Sequence, residues 1–532
     1  MKIAIIGAGV SGLSLAYYLR KYSPETEIVV YEQADRVGGN AQTQELDLRP
    51  LDRPNTWVDM GVNDFNISTY KAMLDLWNEI ELPQDRYVGT LVNEASFFYY
   101  GATPESTTGF KISNNGDISV YNFPNHIKES IQQGFKHFES SLKDWYDNED
   151  NKPSAFKITV EQFIDKYFTD IKYQPFVNLA LLPRINAMFF TYEESPLNRP
   201  AVLDMPMWLV SHYYVLQEGL ALPPNRADKD KERKFFKQGC QKWLEFLAEK
   251  LTQDCQVNIQ LDIDGIKVCS HGLGAYVYYN YEECSYYDKV VFCTPAYQVE
   301  RITDSLTFNS NKLLQQTKAF RYVPCVVYAN YDSSQVPPSS DFICAYNVRI
   351  YNYDNYALNS ERVESPDGGK FDGMFKPYHM TYSANKHQPQ SGEENAKDFY
   401  VTVNPLNMSS QQFLSHRLSQ TNGELARKTF LHCKFTQESL EAQRYIQLKQ
   451  MGKWNPPQSS SDLHDDVSHS HTFYLAGNYC NGAGLHTECI LFSKDLALAI
   501  VDPSFVSENF YDYEGITKRD PAPAYIREVL DL

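Results

Sequence analysis

Gly7, Gly9 and Gly12 stand in KIAIIGAGVSGLSLAYYLRKY with the spacing G-x-G-x-x-G. Glycines at this spacing hold phosphate. The first permits a tight turn, the second lets backbone approach a pyrophosphate, and the third lets a helix pack close to a strand. Val10 and Ser11 fall in the first helical turn, whose unpaired N–H groups and partial positive charge favour an anion. The next apolar run, EIVVYEQ, ends in Glu32 and Gln33. Glu32 lies about 20 residues past the glycines, where a carboxylate accepts hydrogen bonds from a ribose diol. Each signal alone is weak. Strand, glycine turn, helix and acidic strand end in succession read as a dinucleotide site.

Three further stretches carry residues of the same kind. ADRVGGNAQT places Arg36, Gly38, Gly39 and Asn40 just after Glu32, and WVDMGVNDF places Met60, Gly61 and Val62 beyond them. Far away, TFYLAGNYCNGAGLHTECILFSKDLA (472–497) ends an apolar run at Gly477 and Asn478. It then starts an apolar-periodic helix near Glu488, Cys489 and Ile490. A helix start there presents backbone N–H groups to developing negative charge. By contrast, QSSSDLHDDVSHSH (458–471) has three His and three Asp at irregular spacing in a polar loop, which reads as solvated surface rather than a metal site.

The elements that must position these residues come from all along the chain. Residues 234–251 read as a glycine followed by a helix with Trp243, Leu244, Leu247 and Leu251 on one face. VNIQLDIDGIKV alternates like a strand, and KVVFCTP is a buried strand stopped by Pro295. Residues 125–225 are helix-rich, and around His212 they mix Leu, Met, Trp and Tyr, as a buried helix or a pocket wall would. After Pro295 come strand-like runs, VPCVVYANY, FICAYNVRIYNY, HMTYSAN and FYVTVNP, separated by polar loops. The fold class expected is α/β. These pieces agree with what a family resemblance, set out below with the stretches that carry it, implies: a discontinuous Rossmann-type nucleotide-binding domain (1–85, 226–300 and 455–500) joined to a mixed sheet-plus-helices substrate domain (86–225 and 301–454). Residues 501–532 form a C-terminal tail that packs on the surface or on a second subunit, so an oligomer is possible.

Composition narrows the partners. With 532 residues, 42% of them hydrophobic, the chain has material for two or three domains and sizeable cores. A net charge of −18 with no Lys/Arg block opposes nucleic acid and anionic headgroups, leaving at most peripheral membrane contact. No run reaches the roughly 18 apolar residues of a membrane span; the closest, NLALLPRINAMFF, contains Pro183 and Arg184. Ten cysteines without a CxxC read as free thiols in a reducing cytoplasm.

The glycine stretches resemble the extended fingerprint of the flavin amine-oxidase superfamily. Within it the chain resembles bacterial FAD-dependent polyunsaturated fatty acid (linoleate) isomerases. IAIIGAGVSGL and the GGN pair are superfamily-wide. VDMGVNDFNISTYKAMLDLWNEIELP, ITVEQFIDKYFTDIKYQPFVNLALLPRINAMFF and HTFYLAGNYCNGAGLHTECILFSKDL carry the narrower likeness. The resemblance implies non-covalent FAD. Gly38 to Asn40 would wrap the pyrophosphate, Gly61 would approach the isoalloxazine, Ile263 would lie by the adenine, and the 488–490 N–H groups would face flavin N1/O2. Asn478 stands where the superfamily usually has Asp or Glu. The resemblance further implies a small apolar or fatty-acid substrate, whose double bond moves as hydride leaves to flavin N5 and returns. Such chemistry needs no side-chain acid or base; it needs orientation, dryness and cation-tolerant walls. Phe189 and Phe190 are the wall candidates. Arg86 is the candidate carboxylate anchor, with Arg184 and Arg321 as alternatives.

Other flavin chemistries stay open. A lipid desaturase or oxidase would differ only in passing the hydride on. An amine or amino-acid oxidase would be expected to carry a lysine near flavin N5 and an aromatic cage; the matching positions are Pro324 and His486. A flavin-bound protein without turnover is the alternative outside enzymes.

Overall fold

Strand Lys2–Ile6 is the centre of a five-stranded parallel sheet. The structure, a computed structural model, describes residues 1–48, 55–67, 69–99, 107–113, 117–147, 157–189, 201–218, 233–350, 378–389, 399–403, 424–451, 472–507 and 509. The sheet order is Asn258–Gln260, Glu27–Tyr31, Lys2–Ile6, Lys289–Phe292, Phe473–Leu475, so three distant pieces of chain build one nucleotide-type sheet. Its register is continuous, with Ile5 opposite Val30 on one side and Val291 on the other. Strands covered on both faces read as unbroken apolar runs, and Ile3 to Ile6 are buried.

Two helices lie side by side on this sheet, Val10–Tyr22 and His486–Val501. The Ser493 hydroxyl donates to the Ser11 carbonyl at 3.0 Å, joining residues 482 positions apart. Helix Cys240–Gln253 buries Trp243, Leu244, Leu247 and Leu251, the face expected from its spacing. VNIQLDIDGIKV divides in two. Asn258–Gln260 joins the parallel sheet, and Lys267–His271 starts an antiparallel three-stranded meander.

The second layer is an eight-stranded sheet. Arg321–Asn330, Tyr346–Ile350, Tyr378–Ser383 and Tyr400–Val403 are the strands expected after Pro295. Three strands from before residue 125 extend it at one edge, and Glu424–Lys434, not singled out in the sequence, forms the other edge. Helices Asn125–Asp147, Val160–Tyr167, Leu182–Phe189 and Met207–Glu218 cover this sheet and share its apolar core. Just before Pro183 the helix widens into a π turn, Val177–Leu181. Proline supplies no N–H for the regular ladder, and a wider turn accommodates that loss. A small sheet, Asp64–Asn66, Arg233–Phe236 and Val88–Thr90, ties the two halves together. Among the described residues no helix is long and apolar enough to cross a membrane. The loop at 458–471, the tail from 510 and Phe190 lie outside the described residues.

Candidate active site

A cavity of about 730 Å³ runs from the edge of the parallel sheet to the eight-stranded sheet. At its nucleotide end stand Gly7, Gly9, Val10, Ser11, Glu32, Gln33, Gly38, Gly39, Asn40 and Ile263. Gly7 takes φ +111°, and a side chain there would meet the Cys293 carbonyl at 2.9 Å. Gly9 and Gly39 face one another across the groove, with Gly9 Cα 3.4 Å from where a Gly39 Cβ would sit. Side chains at both would fill the groove, so backbone alone forms the cradle. Gly12 is behind the wall: its Cβ would lie 1.9 Å from the Gly7 carbonyl oxygen, so it sets helix-to-strand spacing and touches no ligand.

The Glu32 carboxylate accepts the Ala8 N–H at 2.7 Å and the Ala34 N–H at 3.0 Å. It thus pins the glycine turn and keeps lone pairs for a diol, a second duty that sequence spacing did not disclose. The backbone at Ile263 is held beside it, its N–H donating to the Glu32 carbonyl at 3.0 Å. Thr294, on the cavity wall, has a buried hydroxyl with no hydrogen-bond partner among the described residues. A glycine cradle, a helix N-terminus, an acidic strand end and this orphaned hydroxyl together fit a dinucleotide.

Met60, Gly61, Val62 and Asn478 line the middle of the cavity. Gly61 is obligatory, since its Cβ would sit 2.0 Å from the Asn40 carbonyl oxygen. The other end of the 472–497 stretch needs correction. Gly477, Glu488, Cys489 and Ile490 are buried behind the wall, and Ala483, Gly484, Leu485 and His486 form the surface instead. The helix begins two residues earlier than the apolar pattern implied, at His486. The Cys489 N–H is already committed to the Leu485 carbonyl at 2.9 Å, so the N–H groups outside the helical ladder precede it. His486 is buried against Trp243, ring centroids 5.7 Å apart, and burial holds its pKa down at about 4. It is therefore a neutral imidazole at physiological pH.

Beyond this the walls turn apolar, with Phe97, Met188, Phe189, Val348, Met380 and Phe430. Phe189 packs on Tyr213 with centroids 5.0 Å apart. Pro324 does not line the cavity; it is exposed, and Cys325 and Val327 line the wall. No described lysine lines the cavity. Arg86 is exposed on the short turn Gln84–Tyr87, and Arg321 is exposed at a strand start; neither reaches the cavity. Arg184 does, lying over the rings of Phe135 and Tyr214 at 5.8 and 5.4 Å.

One polar corner was not foreseen. Asp64 is bonded by the guanidinium of Arg233, by His387 Nε2 at 2.9 Å and by the Tyr346 hydroxyl at 3.0 Å. Burial alone would push the Asp64 carboxyl up; Arg233 and His387 outweigh it and hold the group well below the usual carboxylate range. Its partners stand 169, 323 and 282 residues away in sequence, so no local pattern could have found it.

Residues 10–349 match the family model of flavin containing amine oxidoreductases. The chain belongs to that family. It is an FAD-dependent oxidoreductase-type enzyme, and the glycine cradle is where its residues fit the cofactor. A coproporphyrinogen III oxidase of Staphylococcus aureus is 31% identical over 88 residues, spanning 16% of this chain and only 17% of that relative. Among solved structures, a CLA-producing fatty acid isomerase from P. acnes is similar over 93% of this chain and 97% of its own, at 14% identity and TM-score 0.57. A putrescine oxidase bound to putrescine covers 94% and 99%, at 15% identity and TM-score 0.55. At these identities the structural likeness is one of fold.

Proposed function

We propose that the enzyme is an isomerase of polyunsaturated fatty acids or related lipids, moving a double bond by hydride removal and return. The observation that carries this reading is the apolar substrate end, walled by Phe97, Met188, Phe189, Val348 and Met380, with no described lysine in its lining. When bound, FAD supplies a hydride acceptor and donor at N5. The chain's own residues do the rest. The apolar walls exclude water and orient an extended hydrocarbon, and the aromatic faces of Phe97 and Phe189 tolerate developing positive charge. Arg184 replaces Arg86 as the anchor for a carboxylate, since its guanidinium-bearing side chain lines the cavity and Arg86 does not. All ten cysteines carry free thiols, which accords with a cytoplasmic location.

A second reading, a lipid or amine oxidase of the same family, draws support from the buried Asp64 corner, which could receive a polar substrate group. Anaerobic incubation of the yellow protein with linoleic acid, and separately with amines and amino acids, separates the two. The isomerase reading expects conjugated-diene absorbance with no net loss of flavin colour. Bleaching without diene formation, by any of these substrates, would replace it with the oxidase reading.

A further inference from the structure

The turn that forms the flavin end of the cavity is held by a side chain from the opposite half of the molecule. Helix Met207–Glu218 belongs to the helices that cover the eight-stranded sheet. From it, His212 reaches Glu488 with Nε2 at 2.6 Å from Oε1, across 276 residues of sequence. Both side chains are buried, His212 at 1% and Glu488 at 0% exposure. A carboxylate only accepts here, so Nε2 carries the proton. The other Glu488 oxygen accepts the N–H groups of Ala483 at 3.0 Å and Leu485 at 2.9 Å. Those two residues, with Gly484 and His486, make the cavity surface.

Gly482 is part of the same arrangement. It takes φ +51°, and a Cβ there would sit 1.7 Å from Glu488 Oε1 and 2.9 Å from His212 Nε2. Only glycine leaves room for the imidazole and carboxylate to meet. On its other side the turn is clamped by Gln443, which donates to the Tyr479 and Gly482 carbonyls and accepts the Gly482 N–H. The imidazole is further fixed by stacking on Trp208, centroids 4.8 Å apart and planes within 20°. The next residue on the helix, Tyr213, lines the substrate end.

We propose that His212 is a positioning residue for the flavin: through Glu488 it sets the turn from Gly482 to His486 and the start of helix His486–Val501, and so joins the substrate-side helix to the cofactor end of the site. The inference rests on FAD occupying this cavity. A buried hydrogen bond to a charged group, once lost, leaves an unsatisfied carboxylate lone pair and a relaxed turn. Its loss should therefore appear in cofactor binding, ahead of any turnover.

The test compares wild type, His212→Leu and His212→Gln for FAD dissociation constant and for the visible absorbance bands of the bound flavin. The leucine variant should bind FAD about tenfold more weakly, equivalent to about 1.4 kcal/mol, with shifted flavin bands. Glutamine can donate to Glu488 from a similar reach, and should stay within about threefold of wild type by the same scale. Wild-type affinity and spectrum in His212→Leu would overturn the proposal, as would a glutamine variant as impaired as the leucine one. If His212→Leu does not fold, Glu488→Gln carries the same test, because an amide has one acceptor oxygen where the carboxylate has two. Tenfold weaker FAD binding supports the proposal, and unchanged binding overturns it. A wild-type protein that takes up no FAD would remove the cofactor reading itself, and this inference with it, before any variant is compared.

Discussion

At the scale of residues, the nucleotide end of the cavity is a cradle of backbone. Gly7, Gly9, Gly39 and Gly61 keep the groove open by carrying no side chain, and Glu32 pins the turn through the Ala8 N–H. Gly9 has φ −78° and ψ −174°, a conformation open to any residue. Gly9→Val should therefore fold while its side chain fills the cradle. FAD affinity should drop by at least a hundredfold, about 2.7 kcal/mol, with the unfolding transition of the cofactor-free protein unchanged; titration with FAD checks this. Arg86 was misplaced because no sequence pattern says which guanidinium a distant sheet will face. Arg184→Leu should raise KM for a carboxylate-bearing lipid roughly tenfold, as expected for a lost charged hydrogen bond, with a smaller change in kcat. Arg86→Leu should leave both constants alone. Steady-state kinetics with linoleate distinguishes them.

Asp59 gives a pH prediction at the same scale. It is fully buried and accepts hydrogen bonds from Thr43, the Cys240 N–H and Gln388. Burial outweighs those bonds and pushes its carboxyl from 3.8 up to about 7. The folded protein thus keeps a proton that the unfolded chain has released. The stability tied to this group is complete below pH 3.8 and is lost as pH rises to about 7. The slope is up to about 1.4 kcal/mol per pH unit. Asp59→Asn should lack that slope, so the difference in unfolding free energy between variant and wild type should grow in the variant's favour from pH 4 to about pH 7. Denaturant unfolding across that range measures it.

At the scale of elements, strand and helix positions were readable wherever one face is buried, and errors were errors of phase. Pro324 stood in a strand that was correctly located, but neighbouring strand residues point to opposite faces. A slip of one residue therefore exchanged it for Cys325 on the cavity wall. The helix at the chain's far end was likewise read two residues late, because Glu488, Cys489 and Ile490 look like a helix start while His486 already is one. Gly12 illustrates how tightly these elements meet. Gly12→Ala would force helix Val10–Tyr22 away from the Gly7 carbonyl, costing about 1–3 kcal/mol by overpacking. Loss of bound flavin should accompany the lowered unfolding midpoint, and calorimetry with absorbance would register both.

At the scale of the whole molecule, the discontinuous parallel sheet was legible because four of its five strands, Lys2–Ile6, Glu27–Tyr31, Lys289–Phe292 and Phe473–Leu475, are short, mainly apolar runs, whereas Asn258–Gln260 at its edge is not. The eight-stranded sheet was legible only in part. Glu424–Lys434 lies along Arg321–Asn330 over ten registered pairs, yet its polar and charged side chains resemble those of a loop. The Asp64 corner and the His212–Glu488 link are products of tertiary assembly, each joining residues more than a hundred positions apart. They tie the cofactor half to the substrate half, which is where the proposed chemistry needs rigidity.

The central claim is that hydride leaves the lipid and returns to the same molecule. Linoleic acid dideuterated at its bis-allylic carbon, mixed with unlabelled substrate and turned over without oxygen, tests it most directly. The account predicts a conjugated product with deuterium relocated two carbons along and no exchange with solvent. Deuterium lost to water, or a bleached flavin with no diene formed, would contradict it.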